Sequence, residues 1–269
     1  MVNNAVQQAA SIPVPFDFRL FAEWPRRGRR LLMLDYDGTL APFHSLRAEA
    51  LPYPGVTGAL SRLLDAGHTR VVIVSGRPIH ELRSLLGPDL PLELFGAHGW
   101  ERRYADGRIV RWEPPQPARD VLKEAHARLA AQVPPEQLEV KRGAVMLHTR
   151  AMTSAEQKRM AALVTDEWQP LSSNAVALRT VDGGFEMRAL ERTKGTVVET
   201  LRRECTPPCH CAYLGDDLTD EDAFRQLSPP DWPILVRPEP RASCARYWLQ
   251  PPGDLLRFLE TWTRSASAV

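Results

Sequence analysis

The stretch RRLLMLDYD runs apolar without a break and then turns acidic, the pattern of a buried strand whose end leaves the core. TGALSRLLDAG follows with apolar residues at helical spacing and a stop at Gly67. TRVVIVSGR predicts a second buried strand, IHELRSLLG a second helix, and LELFGAHG a third strand running into glycines. Strand, helix, strand, helix, strand is the order of a parallel sheet with crossover helices. ERRYADGRIVRW then reads as a hairpin turned by Asp106 and Gly107.

A proline cluster, Pro114, Pro115 and Pro117, marks a boundary, and the texture changes beyond it. ARDVLKEAHARLAAQ predicts a helix, QLEVKRG and AVMLHTR adjacent strands, SAEQKRMAALVTDEW a helix, and AVALRTV and GFEMRAL two more strands. Strands that follow one another directly predict an antiparallel sheet with helices on one side. The first rhythm then returns in TKGTVVETLRRE (helix), CAYLGDD (strand) and PILVR (strand). The expected fold is α/β: a Rossmann-like parallel-sheet core, residues 25–113 and 190–269, with an α+β unit, 114–189, inserted into it. Residues 1–24, with Pro13 and Pro15, read as a weakly ordered lead with a short helix or turn near Phe16 to Trp24. Neither an internal repeat nor a long low-complexity tract interrupts this plan.

At 269 residues there is material for one large or two modest domains, and 43% hydrophobic with 25% charged residues excludes a wholly disordered chain. Lys plus Arg number 34 against 33 Asp plus Glu, a net charge of +1, so no global basic field favours nucleic acid. No apolar run approaches the roughly 18 residues of a membrane span, and the N-terminus has no basic start followed by an apolar core. These features predict a cytoplasmic protein with no membrane partner. Cys205, Cys209, Cys211 and Cys244 raise a zinc cluster with His210, but no second ligand pair sits at finger spacing; they read instead as free thiols in a reducing compartment.

The chemistry gathers at strand ends. Asp35 and Asp37, two apart on one strand, emerge on the same face and repel unless a cation or a shared proton compensates. In open α/β sheets, ligands bind outside the carboxyl ends of the strands. Those ends also carry Ser75-Gly76-Arg77 and Gly215-Asp216-Asp217, and Lys194 opens the helix after the insertion. Three carboxylates and a lysine suit a phosphoryl group and Mg²⁺, which takes one carboxylate from each strand, a backbone carbonyl and the phosphate. Asp35 could then act as nucleophile and Asp37 as general acid and base. Ser75 and Lys194 would hold phosphoryl oxygens, Asp216 the metal, and Asp217 or Asp220 would serve as an auxiliary carboxylate. Gly38 lets the backbone turn sharply beside the phosphate. Each piece alone has a plainer reading, a turn or a helix cap; their order, each after an apolar strand, favours the chemical one.

These residues resemble the haloacid dehalogenase superfamily of phosphatases: Asp35-Tyr36-Asp37-Gly38-Thr39 its first motif, Ser75 its second, Lys194 its third, and Gly215-Asp216-Asp217 its fourth. The inserted unit is similar to the cap of the sugar phosphatases in that superfamily. More narrowly, GAHGWERR (96–103), the spacing of Lys141, His148 and Arg150, FEMR (185–188) and GDDLTDEDAF (215–224) resemble its trehalose-6-phosphate phosphatases, over residues 28–260. The resemblance implies an aspartyl-phosphate mechanism and Mg²⁺ held by Asp35, Asp216 and the Asp37 backbone carbonyl. It also implies sugar contacts from Arg77, Lys141, His148, Arg150, Glu186 and Arg188. His98, Gly99 and Glu101 would lie near the hinge between core and cap and belong to the same substrate set. A monomer acting on a small sugar phosphate is the implied partner arrangement.

Two positions depart from the family pattern: Thr149, where an aromatic often stands, and Ala189, where proline is common. Both bear on sugar preference rather than on the chemistry. Sucrose phosphate or a hexose phosphate is therefore an alternative substrate. Lys141 and Arg150 could instead be solvated charges, His148 a half-buried histidine with a partner, and Glu186 the partner of Arg188. A sensing module that binds a sugar phosphate without turnover is the alternative from another class.

Overall fold

The computed structural model describes residues 10–23, 28–44, 46–181, 183–205 and 208–266. Two compact units divide the chain: Met1–Ile109 with Lys194–Val269, and Val110–Thr193.

The first unit opens with β1 (Val14–Pro15) and α1 (Leu20–Glu23), then alternates β2 (Arg29–Leu34), α2 (Val56–Ala66), β3 (Thr69–Val74), α3 (Ile79–Leu86) and β4 (Glu93–Gly96). β5 (Glu101–Arg103) and β6 (Ile109–Arg111) lead to the unit boundary. After the insertion come α6 (Lys194–Glu204), β11 (Cys209–Gly215), α7 (Glu221–Phe224), β12 (Trp232–Val236), β13 (Tyr247–Leu249) and α8 (Gly253–Ala266). The insertion supplies α4 (Gln116–Ala130), β7 (Leu138–Lys141), β8 (Ala144–His148), α5 (Ser154–Trp168), β9 (Val176–Val181) and β10 (Gly184–Ala189).

Among the described residues the large sheet runs β1-β13-β12-β11-β2-β3-β4-β5-β6. Every pair from β1 to β4 is parallel, and β5 turns back antiparallel to β4. From β2 the chain builds β3 and β4 on one side; β11, β12 and β13 fill the other. The strand order therefore reverses between β2 and β11, where an open α/β sheet makes its crevice.

Covering the sheet on both faces explains the unbroken apolar strands. Leu32, Leu34, Val71 and Ile73 bury against α2 (Val56, Leu60, Leu63) and α8 (Leu255, Phe258, Leu259, Trp262). The alternate residues Leu31, Met33, Val72 and Val74 are buried on the opposite face. Helix α8 lies outside the elements expected from the sequence, although Leu255, Phe258, Leu259 and Trp262 fall at helical spacing. β1 and β13 are likewise additions; each is too short to give a pattern.

The expectation of a weakly ordered lead is corrected for residues 10–23. β1 pairs with β13, and Phe16, 6% exposed, meets the rings of Trp232, Tyr247 and Phe258 edge to face at 5.1 to 5.3 Å. Aromatic burial, not local propensity, fixes this segment. Residues 1–9 and Trp24 lie outside the described residues. The four free thiols are corrected as well. Cys205 and Cys209 form a disulfide, while Cys211 and Cys244 are free and buried. The four-residue separation brings the end of α6 back onto the start of β11, a pairing that spacing alone does not reveal.

In the second unit the order is β7-β8-β10-β9, antiparallel throughout, with α4 and α5 packed on the sheet and on each other. Leu138, Val145, Leu147 and Met187 share its buried apolar face. Among the described residues no helix is long and apolar enough to cross a membrane.

Candidate active site

The carboxyl ends of β2, β3 and β11 lie side by side, and the expected residues gather there. The Asp35 backbone N–H donates to the Leu214 carbonyl at 2.8 Å, joining the ends of β2 and β11. Asp35 is 3% exposed, and Lys194, at the first turn of α6 and equally buried, donates from Nζ to Asp35 Oδ1 at 2.7 Å. The same ammonium donates to Asp220 Oδ1 at 2.7 Å. Tyr213 Oη adds a second donor on that oxygen at 2.6 Å, and the backbone N–H groups of Asp216 and Asp217 donate to Asp220 Oδ2 at 3.1 and 3.0 Å. Asp220 is thus occupied on both oxygens and orients Lys194.

Asp216 is different. It is 1% exposed, yet among the described residues neither carboxylate oxygen has a hydrogen-bond donor. Arg237 Nη1 stands 3.9 Å from Oδ2, while Arg237 and Arg241 both donate to the Asp216 backbone carbonyl at 3.2 Å. Gly38 lets the carboxylate come close. A Cβ there would stand 2.2 Å from Asp216 Oδ2, and its φ of +80° suits glycine.

Burial disfavours charge on these acids. It pushes Asp35 up to about 7, helped by the neighbouring Asp220 charge and opposed by Lys194. Burial, then the Asp35 and Asp220 charges, hold Asp216 well above its usual value. For Lys194 burial works against the charge, but Asp220 and Asp35 outweigh it and raise its pKa. Ligand oxygens of Asp35, Asp216 and Asp220 all lie within 4.8 Å of one another. Among the described residues, three buried acids face the Lys194 ammonium and the Arg237 guanidinium 3.9 Å from Asp216, which leaves negative charge in excess, and the donors are all hard oxygen. A divalent cation of the Mg²⁺ kind fits both facts, with Asp216 offering two open oxygens.

Asp37 faces the other way around the crevice. Its side chain is 29% exposed, and Arg77 grips both oxygens: Nε to Oδ2 at 2.7 Å and Nη2 to Oδ1 at 2.6 Å. Asp217 is half-buried beside Asp220. Ser75 is buried at the end of β3, and its Oγ accepts from the Arg77 backbone N–H at 3.2 Å. Arg77, expected as a sugar contact, is 2% exposed, and its guanidinium is bonded to Asp37, Glu81 and the Arg47 carbonyl. Glu101, expected in the same substrate set, is buried at the start of β5. Its Oε2 accepts from the Ile79 N–H at 3.0 Å, closing the first turn of α3. His98, in a turn with φ of 56°, is buried and lies over Gly76, where a Cβ would stand 2.7 Å from its ring. Gly99 continues that turn with φ of +100°.

In the second unit, strand register places Glu139, Lys141, His148, Glu186, Arg188 and Arg179 on the sheet face opposite the helices. His148 Nε2 meets Glu139 Oε2 at 2.8 Å. Lys141 Nζ lies 3.7 Å from Glu139 and 3.6 Å from Glu186, and Arg188 pairs with Glu186 at 4.0 Å. Glu186 and Arg188 are buried; Arg150 is exposed at the end of β8, with its guanidinium over Gly183. Sequence reasoning misses Glu139, whose signal was its i, i+2 spacing from Lys141. It also misses Tyr213, which reads as one more apolar position of β11.

A parallel sheet with this carboxylate cluster at its switch point and an α+β insertion is the haloacid dehalogenase-type fold. The match to the trehalose-phosphatase family model covers residues 33–249, and the chain belongs to that family. It is 33% identical over 245 residues to a trehalose-phosphate phosphatase of Mycolicibacterium paratuberculosis, covering 85% of this chain and 61% of that protein. It is 30% identical over 224 residues to a bifunctional trehalose-6-phosphate synthase/phosphatase of Thermoproteus tenax, covering 82% of this chain and 30% of that protein. The chain thus spans 61% or less of these relatives' length. Among solved structures, the C-terminal domain of C. albicans trehalose-6-phosphate phosphatase superposes with a TM-score of 0.74 at 22% identity, covering 97% of this chain and 99% of that one.

Proposed function

We propose that this chain is a Mg²⁺-dependent phosphatase that hydrolyses trehalose 6-phosphate to trehalose and phosphate through an aspartyl-phosphate on Asp35. The observation that carries the reading is the buried Asp216 carboxylate, open on both oxygens beside Asp35 and Asp220. Family membership and the relatives' names support the substrate. The proposal includes a cytoplasmic monomer, an expectation that rests on the sequence.

Asp35, Asp216 and the Asp37 backbone carbonyl would hold the ion, which supplies neutralisation of the charge on the phosphoryl oxygens and on the acids. An Asp35 oxygen attacks phosphorus and the bond from phosphorus to the sugar oxygen breaks. Asp37 gives its proton to that oxygen, so trehalose leaves neutral. A water then attacks the same phosphorus and gives its proton to Asp37. The bond between phosphorus and Asp35 breaks, and phosphate departs. Ser75 and Lys194 hold phosphoryl oxygens, and Asp220, with Asp217 beside it, fixes Lys194. Lys141, His148, Arg150, Glu186 and Arg188 read the sugar hydroxyls, Glu139 orienting the first two, and His98 and Gly99 complete the set. A hydroxyl missing from a wrong sugar would cost a hydrogen bond at the buried members of the set, Glu186 and Arg188, which gives selectivity.

The test is phosphate release from trehalose 6-phosphate, sucrose 6-phosphate, glucose 6-phosphate and mannose 6-phosphate, with Mg²⁺ and with EDTA. A metal-dependent preference for trehalose 6-phosphate is expected. Preference for another sugar would overturn the substrate, and no release from any would overturn the enzyme.

A further inference from the structure

At the crevice the buried Arg77 guanidinium is turned to protein groups. Arg77 sits three residues past the end of β3, with four donated hydrogen bonds from its side chain. Two go to Asp37, at 2.6 and 2.7 Å, one to the Arg47 carbonyl at 2.8 Å and one to Glu81 Oε2 at 3.2 Å. Glu81, one turn along in α3, also meets Arg47 Nη2 at 3.2 Å. The Arg77 guanidinium carbon lies 5.5 Å from the Tyr36 ring centre. Its backbone N–H meanwhile donates to Ser75 Oγ. One residue therefore fixes the carboxylate at the end of β2 through its side chain and the hydroxyl at the end of β3 through its main chain.

A two-point fork sets both the place and the plane of a carboxylate, which a single ammonium does not. Arg77 is itself held by an acid and a carbonyl from two other segments, so the Asp37 orientation is inherited from packed structure. Asp37 keeps 29% of its side chain exposed, so the gripped acid still presents an edge to an arriving leaving group.

We propose that Arg77 is a positioning residue for proton transfer by Asp37, and that Glu81 sets Arg77. This rests on the phosphatase reading, with Asp37 as the group that protonates the leaving oxygen. Its signature is a dependence on the leaving group. A sugar alkoxide must be protonated as it departs, whereas p-nitrophenolate leaves without help, and kcat/KM reports only the steps through departure.

The experiment compares kcat/KM for trehalose 6-phosphate and for p-nitrophenyl phosphate in wild type, Arg77→Lys, Arg77→Met and Glu81→Gln, with folding checked by circular dichroism. Misplacing a reacting group by about 1 Å costs on the order of 100-fold. Arg77→Lys is therefore expected to lower kcat/KM for the sugar phosphate roughly 30- to 100-fold, and that for the aryl phosphate by less than about 3-fold. Glu81→Gln keeps Arg77 and should shift the same ratio less. In an Asp37→Asn background, Arg77→Lys should cost nothing further on the sugar phosphate. Equal losses on both esters, or no loss on either, would overturn the proposal. If Arg77→Met does not fold, Arg77→Lys and Glu81→Gln carry the test. Wild-type failure on trehalose 6-phosphate with turnover of another sugar phosphate overturns the substrate alone, and the ratio is then read with that ester.

Discussion

Replacing Lys194 with methionine removes, among the described residues, the one side-chain cation hydrogen-bonded to two of the three clustered acids. Its ammonium makes 2.7 Å bonds to Asp35 and to Asp220, and all three side chains are at most 4% exposed. Removing one partner of a buried ion pair costs about 3–5 kcal/mol, because the remaining charge stays desolvated. With a urea slope of about 2–3 kcal/mol per M for a unit of this size, the midpoint should fall by roughly 1–2 M. Methionine fills much of the lysine volume, so packing contributes little to that loss. Mg²⁺ should restore part of the stability in Lys194→Met, since a cation among the acids replaces the missing charge, and should raise the variant's midpoint more than the wild type's. The assay is urea unfolding followed by tryptophan fluorescence, with Mg²⁺ and with EDTA. An unchanged midpoint, or equal Mg²⁺ effects on both proteins, would refute the charge-deficit reasoning. Turnover should also drop by on the order of 100-fold, measured as phosphate release.

Gly38→Ala places a Cβ 2.2 Å from Asp216 Oδ2 at a φ of +80°, so the carboxylate must move. Activity should fall by more than about 100-fold and Mg²⁺ should no longer raise the thermal midpoint; wild-type response to the ion in a melting assay would contradict this. At the opposite edge of the sheet, hydrogen bonds from Arg102, and secondarily Arg70, bring Glu204 down to about 2 from 4.5 despite partial burial. A folded value below the unfolded one contributes stability above pH 4.5 that is lost as pH falls through 2. Glu204→Gln should therefore be less stable than wild type at neutral pH and should flatten the loss between those two values; urea midpoints across that range with equal slopes for both proteins would sink the assignment.

The strand ends were legible because Asp35, Ser75 and Asp216 each come at the end of an apolar run; Asp35 and Asp37 lie past Leu34, beyond the strand alternation that would set them on one face. Gly38 was legible as a turn; that Asp216 is what it makes room for was not. Partners distant in sequence were not legible. The bonds of Arg77 to Asp37 and of Glu101 to the first turn of α3 have no local signal. Glu139 and Lys141 carry an alternation that marks a polar sheet face, yet only the β7 and β8 register joins them to His148 and Glu186. The N-terminal segment has little periodicity of its own; Phe16 and Phe21 order it by reaching aromatic residues more than 200 positions away, Trp232 and Phe258.

The central claim, that Asp35 carries the phosphoryl group between two half-reactions, is tested most directly by acid-quenching the enzyme during turnover of trehalose 6-phosphate with Mg²⁺. Peptide mass analysis then locates any phosphoryl group. A phosphoryl mass on Asp35 that builds and decays with turnover, and is absent in Asp35→Asn, is expected. Full turnover by Asp35→Asn, or a phosphoryl group on another side chain, would contradict it.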